Sequence, residues 1–308
     1  MRVARLLGCT PEAPEEESYD HLFAQLLSRK LDAIYLNSVR PETLLWRYLR
    51  NSPLIQKAFH FYSPGGPLPH FLIHISGSFD SYMKRFSPKT RKNRLREIKI
   101  LQGLGDLKLI RVTEASEIDA FLRAAYGISQ KTRQFKRFGW GVAARDPRMV
   151  SSEMQRLAQQ GWLRSYLLTC GNVPCSYILG QQSESTFYPV AAGVDPGWQD
   201  CSAGTVLLLR VLEDLFRENS PVFYDLGPYV RHKQYFATES FLEAEVWLFR
   251  RRPYPLLASC IYRACNLASL GGGAVLERLG MKDRVTHFMR RMDRVAGRSG
   301  SRRALRAA

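Results

Sequence analysis

The sequence predicts an α/β chain of the α+β kind, a mixed and mostly antiparallel sheet with flanking helices. Two observations carry that reading. Three β-rich runs, Leu163–Thr169, Cys175–Gln182 and Thr186–Val194, succeed one another through short turns and read as an antiparallel meander. Between Ser185 and Phe236, a strand, a small-residue loop, a helix and a second strand then follow in the order of a βαβ unit. With 308 residues, 45% of them hydrophobic, the chain can bury the core of one large domain or two small ones.

Taken in order, Glu15–Leu27 is an amphipathic helix with Tyr19, Leu22, Phe23, Leu26 and Leu27 on one face, and Ala33–Leu36 is a strand. A helix over Pro41–Leu49 begins with Pro at a tolerated early position and offers Leu44, Leu45, Tyr48 and Leu49 for burial. The turn Ser63-Pro64-Gly65-Gly66-Pro67 precedes a strand at Phe71–Ile75. Ser78 opens a helix over Phe79–Phe86, and Pro88 starts another that runs to about Leu101. Leu107–Val112 is a strand, and a capping-box-like Thr113-x-x-Ser116 leads into a helix over Ile118–Ser129.

Met149–Gln160 is helical, and Cys170-Gly171-Asn172 makes the first turn of the meander. Thr205 opens the helix of the βαβ unit, which stops near Asn219-Ser220-Pro221 because Pro cannot continue it. Strands at Val222–Leu226 and Leu242–Arg250 follow. Beyond Pro253, the apolar run Leu256–Tyr262 and a flexible Gly271-Gly272-Gly273 lead to a basic helix near Ala274–Val295, and Gly297 onward is expected to be disordered.

No run of about 18 uncharged apolar residues occurs, and Met1–Thr10 is too short and polar for a secretory signal, so a cytoplasmic protein is expected. The six cysteines, Cys9, Cys170, Cys175, Cys201, Cys260 and Cys265, lack C-x-x-C spacing and read as reduced thiols, with no metal site. The net charge is +17. From Arg250 onward, fourteen Lys and Arg stand against three acids, and Lys84, Arg85, Lys89, Arg91, Lys92, Arg94, Arg96 and Lys99 form a second cluster. Such surfaces attract polyanions: nucleic acid, anionic lipid or a phosphorylated ligand.

The loop Asp195-Pro196-Gly197-Trp198-Gln199-Asp200-Cys201-Ser202-Ala203-Gly204 enters a helix at Thr205. Helix-start N–H groups together with Ser202, Gly204 and Thr205 let a backbone approach a phosphate closely; an ordinary helix cap fits the same residues. Lys131–Gly141 combines basic and aromatic side chains, as a site for a flat anionic ligand or a junction between lobes would.

The run from Asp195-Pro196 through Ser202-Ala203-Gly204-Thr205-Val206-Leu207-Leu208, then Tyr224-Asp225-Leu226-Gly227-Pro228 and Lys233-Gln234-Tyr235-Phe236, resembles the GNAT-fold acyltransferases of the CelD-like and FemAB-like branch. Trp198 stands for the usual aromatic, Ala203 replaces a usual Pro, Tyr229 replaces a Gly, and His232-Lys233 sits where Tyr-Lys is expected. The string Phe79 to Arg96, with Ser87-Pro88-Lys89-Thr90-Arg91-Lys92-Asn93-Arg94, is similar to a further segment of that family.

The resemblance implies a partial N-terminal GNAT-like lobe over 1–104 with a basic helix at 88–101, an acyltransferase domain over 105–252, and a basic helical tail over 253–308. It implies acetyl-CoA or another acyl-CoA as donor, held by the loop at Trp198, Ser202, Ala203, Gly204 and Thr205 and by the strand backbone at Ala192, Gly193 and Val194. Asp225 and His232 are the implied proton acceptors, Tyr235 or Tyr229 a donor to the thiolate, and Lys233 a ligand for an acidic acceptor. Arg91, Asn93, Arg94 and Tyr229 are implied to meet substrate. The implied acceptor is an amine or hydroxyl of a small molecule, or of a glycan or lipid-linked envelope or polysaccharide precursor, with peripheral contact to an anionic membrane through the tail. Aminoacyl-tRNA as donor, or a GNAT fold that binds without catalysing, are the alternatives.

Overall fold

The structure, a computed structural model, describes residues 1–6, 15–228, 230 and 232–278, the side chains of 270–278 excepted. Tyr229, Cys9 and the tail beyond 278, including the rest of the expected basic helix, lie outside the described residues. Its contacts divide the described chain into a first unit, Met1–Phe71 with the described residues from Gly227 to Arg278, and a second, Leu72–Leu226.

In the first unit, strand β1 (Val3–Leu6) runs parallel to β2 (Ala33–Val39), with Val3 opposite Ala33. The last strand of the described chain then pairs antiparallel with β2 and with β3 (Phe59–Tyr62), and β4 (Leu68–His74) lies beside it as well. Helices α1 (Glu16–Ser28), α2 (Leu44–Asn51) and α3 (Pro53–Ala58) bury Tyr19, Phe23, Leu45, Tyr48, Leu49 and Ile55 against Ile34, Leu36 and Leu248. The expected helix start at Pro41 moves to Leu44, because the Thr43 hydroxyl accepts the Trp46 N–H at 3.3 Å and caps the helix there.

The second unit begins with α4 (Phe79–Lys84) and α5 (Pro88–Leu104), capped by Ser78 and Ser87. Strand β5 (Leu107–Val112) and the meander β6 (Ser165–Cys170), β7 (Val173–Ser183) and β8 (Thr186–Val194) pair antiparallel in that order, and β9 (Phe223–Pro228) joins β8 in parallel. Cys170 is thus the end of a strand, and the turn falls on Gly171 at φ +58°. Helix α6 (Ile118–Lys131) packs on one face and α9 (Ala203–Glu218) on the other. Alternation along β7 sets the division: Tyr177 and Leu179 share a core with Phe121, Leu122 and Ala125, whereas the Ser176 hydroxyl donates to the Ala203 carbonyl at 3.2 Å. In the chain, α7 (Arg133–Phe138) and α8 (Pro147–Gln159) follow α6 and precede β6.

Two local expectations are corrected. The capping box before α6 is Glu114 with Glu117, not Thr113 with Ser116: the longer Glu117 carboxylate reaches back to the Thr113 and Glu114 amides at 2.9 and 3.0 Å. Part of the basic, aromatic stretch after Lys131 is α7, because the Thr132 hydroxyl accepts the Phe135 N–H. The strand completing the first unit, β10 (Glu239–Arg250), is followed by α10 (Pro253–Arg278), whose backbone stays helical through Gly271-Gly272-Gly273 instead of breaking there.

By contacts, the two units meet in the chain after Phe71 and after Leu226. Pairing of β10 with β2 and β3 draws the chain after Gly227 into the first unit, and α4 and α5 pack on α9 in the second.

Buried charge in the first unit is matched locally. Glu243 accepts the Ser38 hydroxyl at 2.6 Å and lies 2.5 Å from His70 Nδ1, whose ring stacks on Phe241. Burial pushes the Glu243 carboxyl up, but the His70 and Ser38 hydrogen bonds outweigh it and hold the group below its ordinary value of 4.5. A depressed carboxyl stabilises the fold at pH above that value and loses its contribution as pH falls through the folded pKa. Glu243→Gln is therefore expected to lower the melting temperature at neutral pH and to narrow the gap from wild type as pH falls below about 4.5; parallel melting curves at all pH values contradict this.

Candidate active site

The site grows from the place where two strands separate. Strands β8 and β9 pair at Thr186 with Phe223 and at Phe187 with Tyr224, and at no later residue, although β8 continues to Val194. On its other edge, β8 stays paired to β7 as far as Val194 opposite Ser176. The register steps from Leu179–Ala191 to Gly180–Pro189, so Val190 has no partner and forms a bulge, a device that bends and twists a strand. Pro189 has no N–H to offer a neighbour. From Tyr188 to Val194, the edge turned away from β7 therefore carries backbone donors and acceptors outside any described ladder, with Ala191, Ala192, Gly193 and Val194 along it.

The loop after β8 is held from three elements. Asp195 accepts the Gly197 N–H at 2.9 Å and receives Lys131 Nζ from the end of α6 at 2.7 Å. A short 3₁₀ turn over Pro196–Cys201 carries Trp198, and Ser202 follows at φ +56°, ψ +31°, a left-handed conformation that costs a non-glycine residue about 1–2 kcal/mol. The Ser202 hydroxyl donates to Glu97 Oε1 on α5 at 3.2 Å, and its carbonyl accepts the Thr205 and Val206 amides at 2.9 and 3.0 Å. With the Ala203 carbonyl tied to Ser176, the first turn of α9 is fixed. The amides of Ala203 and Gly204 head that turn and have no intrahelical acceptor. The sixteen residues of α9 place the positive end of their dipole there.

Small residues make this junction. A Cβ on Gly204 would stand 2.8 Å from Val194 Cγ2, and one on Gly193 would stand 2.5 Å from the Tyr177 ring. The helix start thus lies directly on the end of β8.

Of the basic residues expected to meet substrate, Arg94 has a different partner: its Nη1 pairs with the Glu97 carboxylate at 3.0 and 3.1 Å, so it balances the charge that holds Ser202. Glu97 is not among the expected site residues; its spacing of three from Arg94 on one helix face is the signal that finds it. Arg91 is half-buried and Asn93 exposed on the same helix. Asp225 stands on β9 just past the last pair with β8 and is half-buried, while Tyr224 before it is buried, which pushes its phenol well above the usual range.

In the first unit, Lys233 Nζ donates to the Pro228 carbonyl at 3.3 Å and so fastens the short turn after β9; His232 and Tyr235 are exposed beside it. Cys170, Cys175, Cys201, Cys260 and Cys265 are free thiols, and burial pushes Cys175 up to about 12, leaving it protonated and inert.

Comparison with known proteins agrees with the fold of the second unit. Residues 88–236 match the family model "Acetyltransferase (GNAT) domain". The crystal structure of FemX superposes with a TM-score of 0.55 at 11% identity, over 82% of this chain and 81% of that one. A conserved protein of unknown function from Bacteroides thetaiotaomicron gives 0.55 at 9% identity, over 80% and 79%. No curated protein matches the sequence.

Residues 88–236, just under half of the chain, are thus similar to GNAT acetyltransferase domains. The likeness in fold to FemX extends past the matched segment into the first unit.

Ser202 gives the local test. Ser202→Val places a β-branched side chain at positive φ and removes the bond to Glu97, so it is expected to destabilise the second unit by about 2 kcal/mol more than Ser202→Gly, which relieves the strain. Urea unfolding followed by fluorescence measures the difference; equal midpoints contradict it.

Proposed function

We propose that the chain moves an acyl group from acyl-CoA to an amine or hydroxyl of a small-molecule, glycan or lipid-linked acceptor such as an envelope or polysaccharide precursor. The observation that carries this reading is the parting of β8 from β9 directly before the α9 start. An unpaired strand edge suits the amide-bearing pantetheine arm, and the Ala203 and Gly204 amides at a helix N-terminus suit its pyrophosphate. The residues fit such a donor: the cradle is open at Gly204 because a side chain would fill it.

CoA brings the activated thioester. This chain's residues hold it, align it and move protons. Asp225 is assigned as proton acceptor, because it occupies β9 just beyond the point of parting. His232 is the alternative acceptor, with Tyr235 as a donor to the leaving thiolate. Lys233 is assigned to the acceptor's acidic groups, and Arg91 and Asn93 to the outer part of a substrate. Arg94 acts through Glu97 as a positioning residue.

A second reading, with aminoacyl-tRNA as donor, is favoured by the exposed Lys89, Lys92, Arg96 and Lys99 along α5. It requires affinity for tRNA that falls steeply with salt.

Two variants separate binding from chemistry. Gly204→Leu is expected to weaken acetyl-CoA binding at least tenfold in calorimetry, with the circular dichroism spectrum retained. Asp225→Asn is expected to leave that affinity unchanged and to lower kcat by roughly 10²-fold. Unchanged affinity in Gly204→Leu overturns the donor site; unchanged kcat in Asp225→Asn, with a loss in His232→Ala, moves the proton acceptor to His232.

A further inference from the structure

We infer that the outward face of α10 is a docking surface for an anionic lipid bilayer, on which the helix lies without crossing. The inference stands apart from the acyl-transfer site, since it uses a different element.

The helix has two faces of different kinds. Its inner face is fastened to the first unit: Ser259 is buried, the Tyr262 ring meets Tyr62 and Trp247 edge-on at 5.7 and 5.8 Å, Asn266 donates to the Tyr62 hydroxyl at 3.0 Å, and Arg263 reaches His60 Nε2 at 3.3 Å. At the opposite spacing stand Tyr254, Leu257, Ile261 and Cys265, one above another along the axis. Tyr254 is 58% exposed, Leu257 60% and Ile261 56%. With Ala258 and the edge of Tyr262 they line a shallow apolar depression. From Pro253 to Ser269, Arg263 is the one charged residue, and it is engaged on the inner side. A helix already docked through one face has no structural need for an apolar stripe on the other.

Charge selects the occupant. Exposed Arg251 and Arg252 immediately precede the helix, and the sequence from Arg250 onward holds fourteen Lys and Arg against three acids. Two copies of so basic a segment repel each other, which disfavours a helix pair. An anionic surface attracts them, and each basic residue close to such a surface raises partitioning about fivefold. Apolar side chains flanked by cations and capped by an interfacial Tyr fit a helix lying at the headgroup level. Among the described residues no helix is long and apolar enough to cross a membrane.

The test is co-sedimentation of the full chain with phosphatidylcholine vesicles, with and without phosphatidylglycerol. Wild type is expected to sediment only with the phosphatidylglycerol vesicles. The double variant Leu257→Glu with Ile261→Glu, whose side chains point away from the unit, is expected to bind at least tenfold less, and Leu257→Ala with Ile261→Ala to fall between. Melting curves confirm that both fold, and acetyl-CoA affinity is expected to be unchanged in both. Vesicle binding by the Glu variant equal to wild type, or equal binding of wild type to both kinds of vesicle, overturns the inference. So does a wild-type dimer in sedimentation velocity that the Glu variant converts to monomer, since the face then belongs to a second copy.

Discussion

The second unit depends on one constraint: backbone groups need partners, and β8 gives up one side of its pairing after Phe187. A strand that simply frayed there would not stay straight or ordered. Continued pairing with β7, a bulge at Val190 and a proline at 189 keep β8 in place while its other edge is released. Gly193 and Gly204 then let the end of the strand, the Tyr177 ring and the first turn of α9 crowd together. An edge held open in this way favours a ligand that brings its own amides, and the helix amides beside it favour an anion.

The loop that joins these parts is strained and held by several contacts at once. Ser202 in the left-handed region costs about as much as one or two hydrogen bonds contribute. Its contacts to Glu97, Gln199, Thr205 and Val206, with Ser176 on Ala203 and Lys131 on Asp195, supply that amount and fix the direction of the free amides. Cations thus serve two purposes in the second unit. Arg94 and Lys131 are consumed in shaping the loop, and Lys89, Lys92, Arg96 and Lys99 of α5 face solvent.

Much of the fold was legible in the sequence, because it rests on local pattern. The meander follows from alternation, α9 from its apolar period and the stop at Pro221, and the loop from its small residues after Asp195-Pro196. What the sequence hid depends on distance or on reach. Nothing local in Glu239–Arg250 says that it pairs with Ala33–Val39 some two hundred residues earlier. Glu97 and Ser176 act on the loop across the fold, and neither type is distinctive by itself. Three glycines read as a break, yet α10 continues through them, since a glycine costs a helix only about 1 kcal/mol each. The roles of Asp225, His232, Lys233 and Tyr235 came from family resemblance, and the structure supplies for Lys233 a backbone partner that the resemblance did not.

The central claim is that the open edge of β8 and the first turn of α9 together hold the donor. Hydrogen–deuterium exchange, followed by mass spectrometry with and without acetyl-CoA, tests it most directly, because exchange reads backbone amides themselves. Slowed exchange confined to peptides covering 188–206 is the predicted result. Acetyl-CoA binding that leaves those peptides unchanged, or that slows exchange only in other segments, would contradict it.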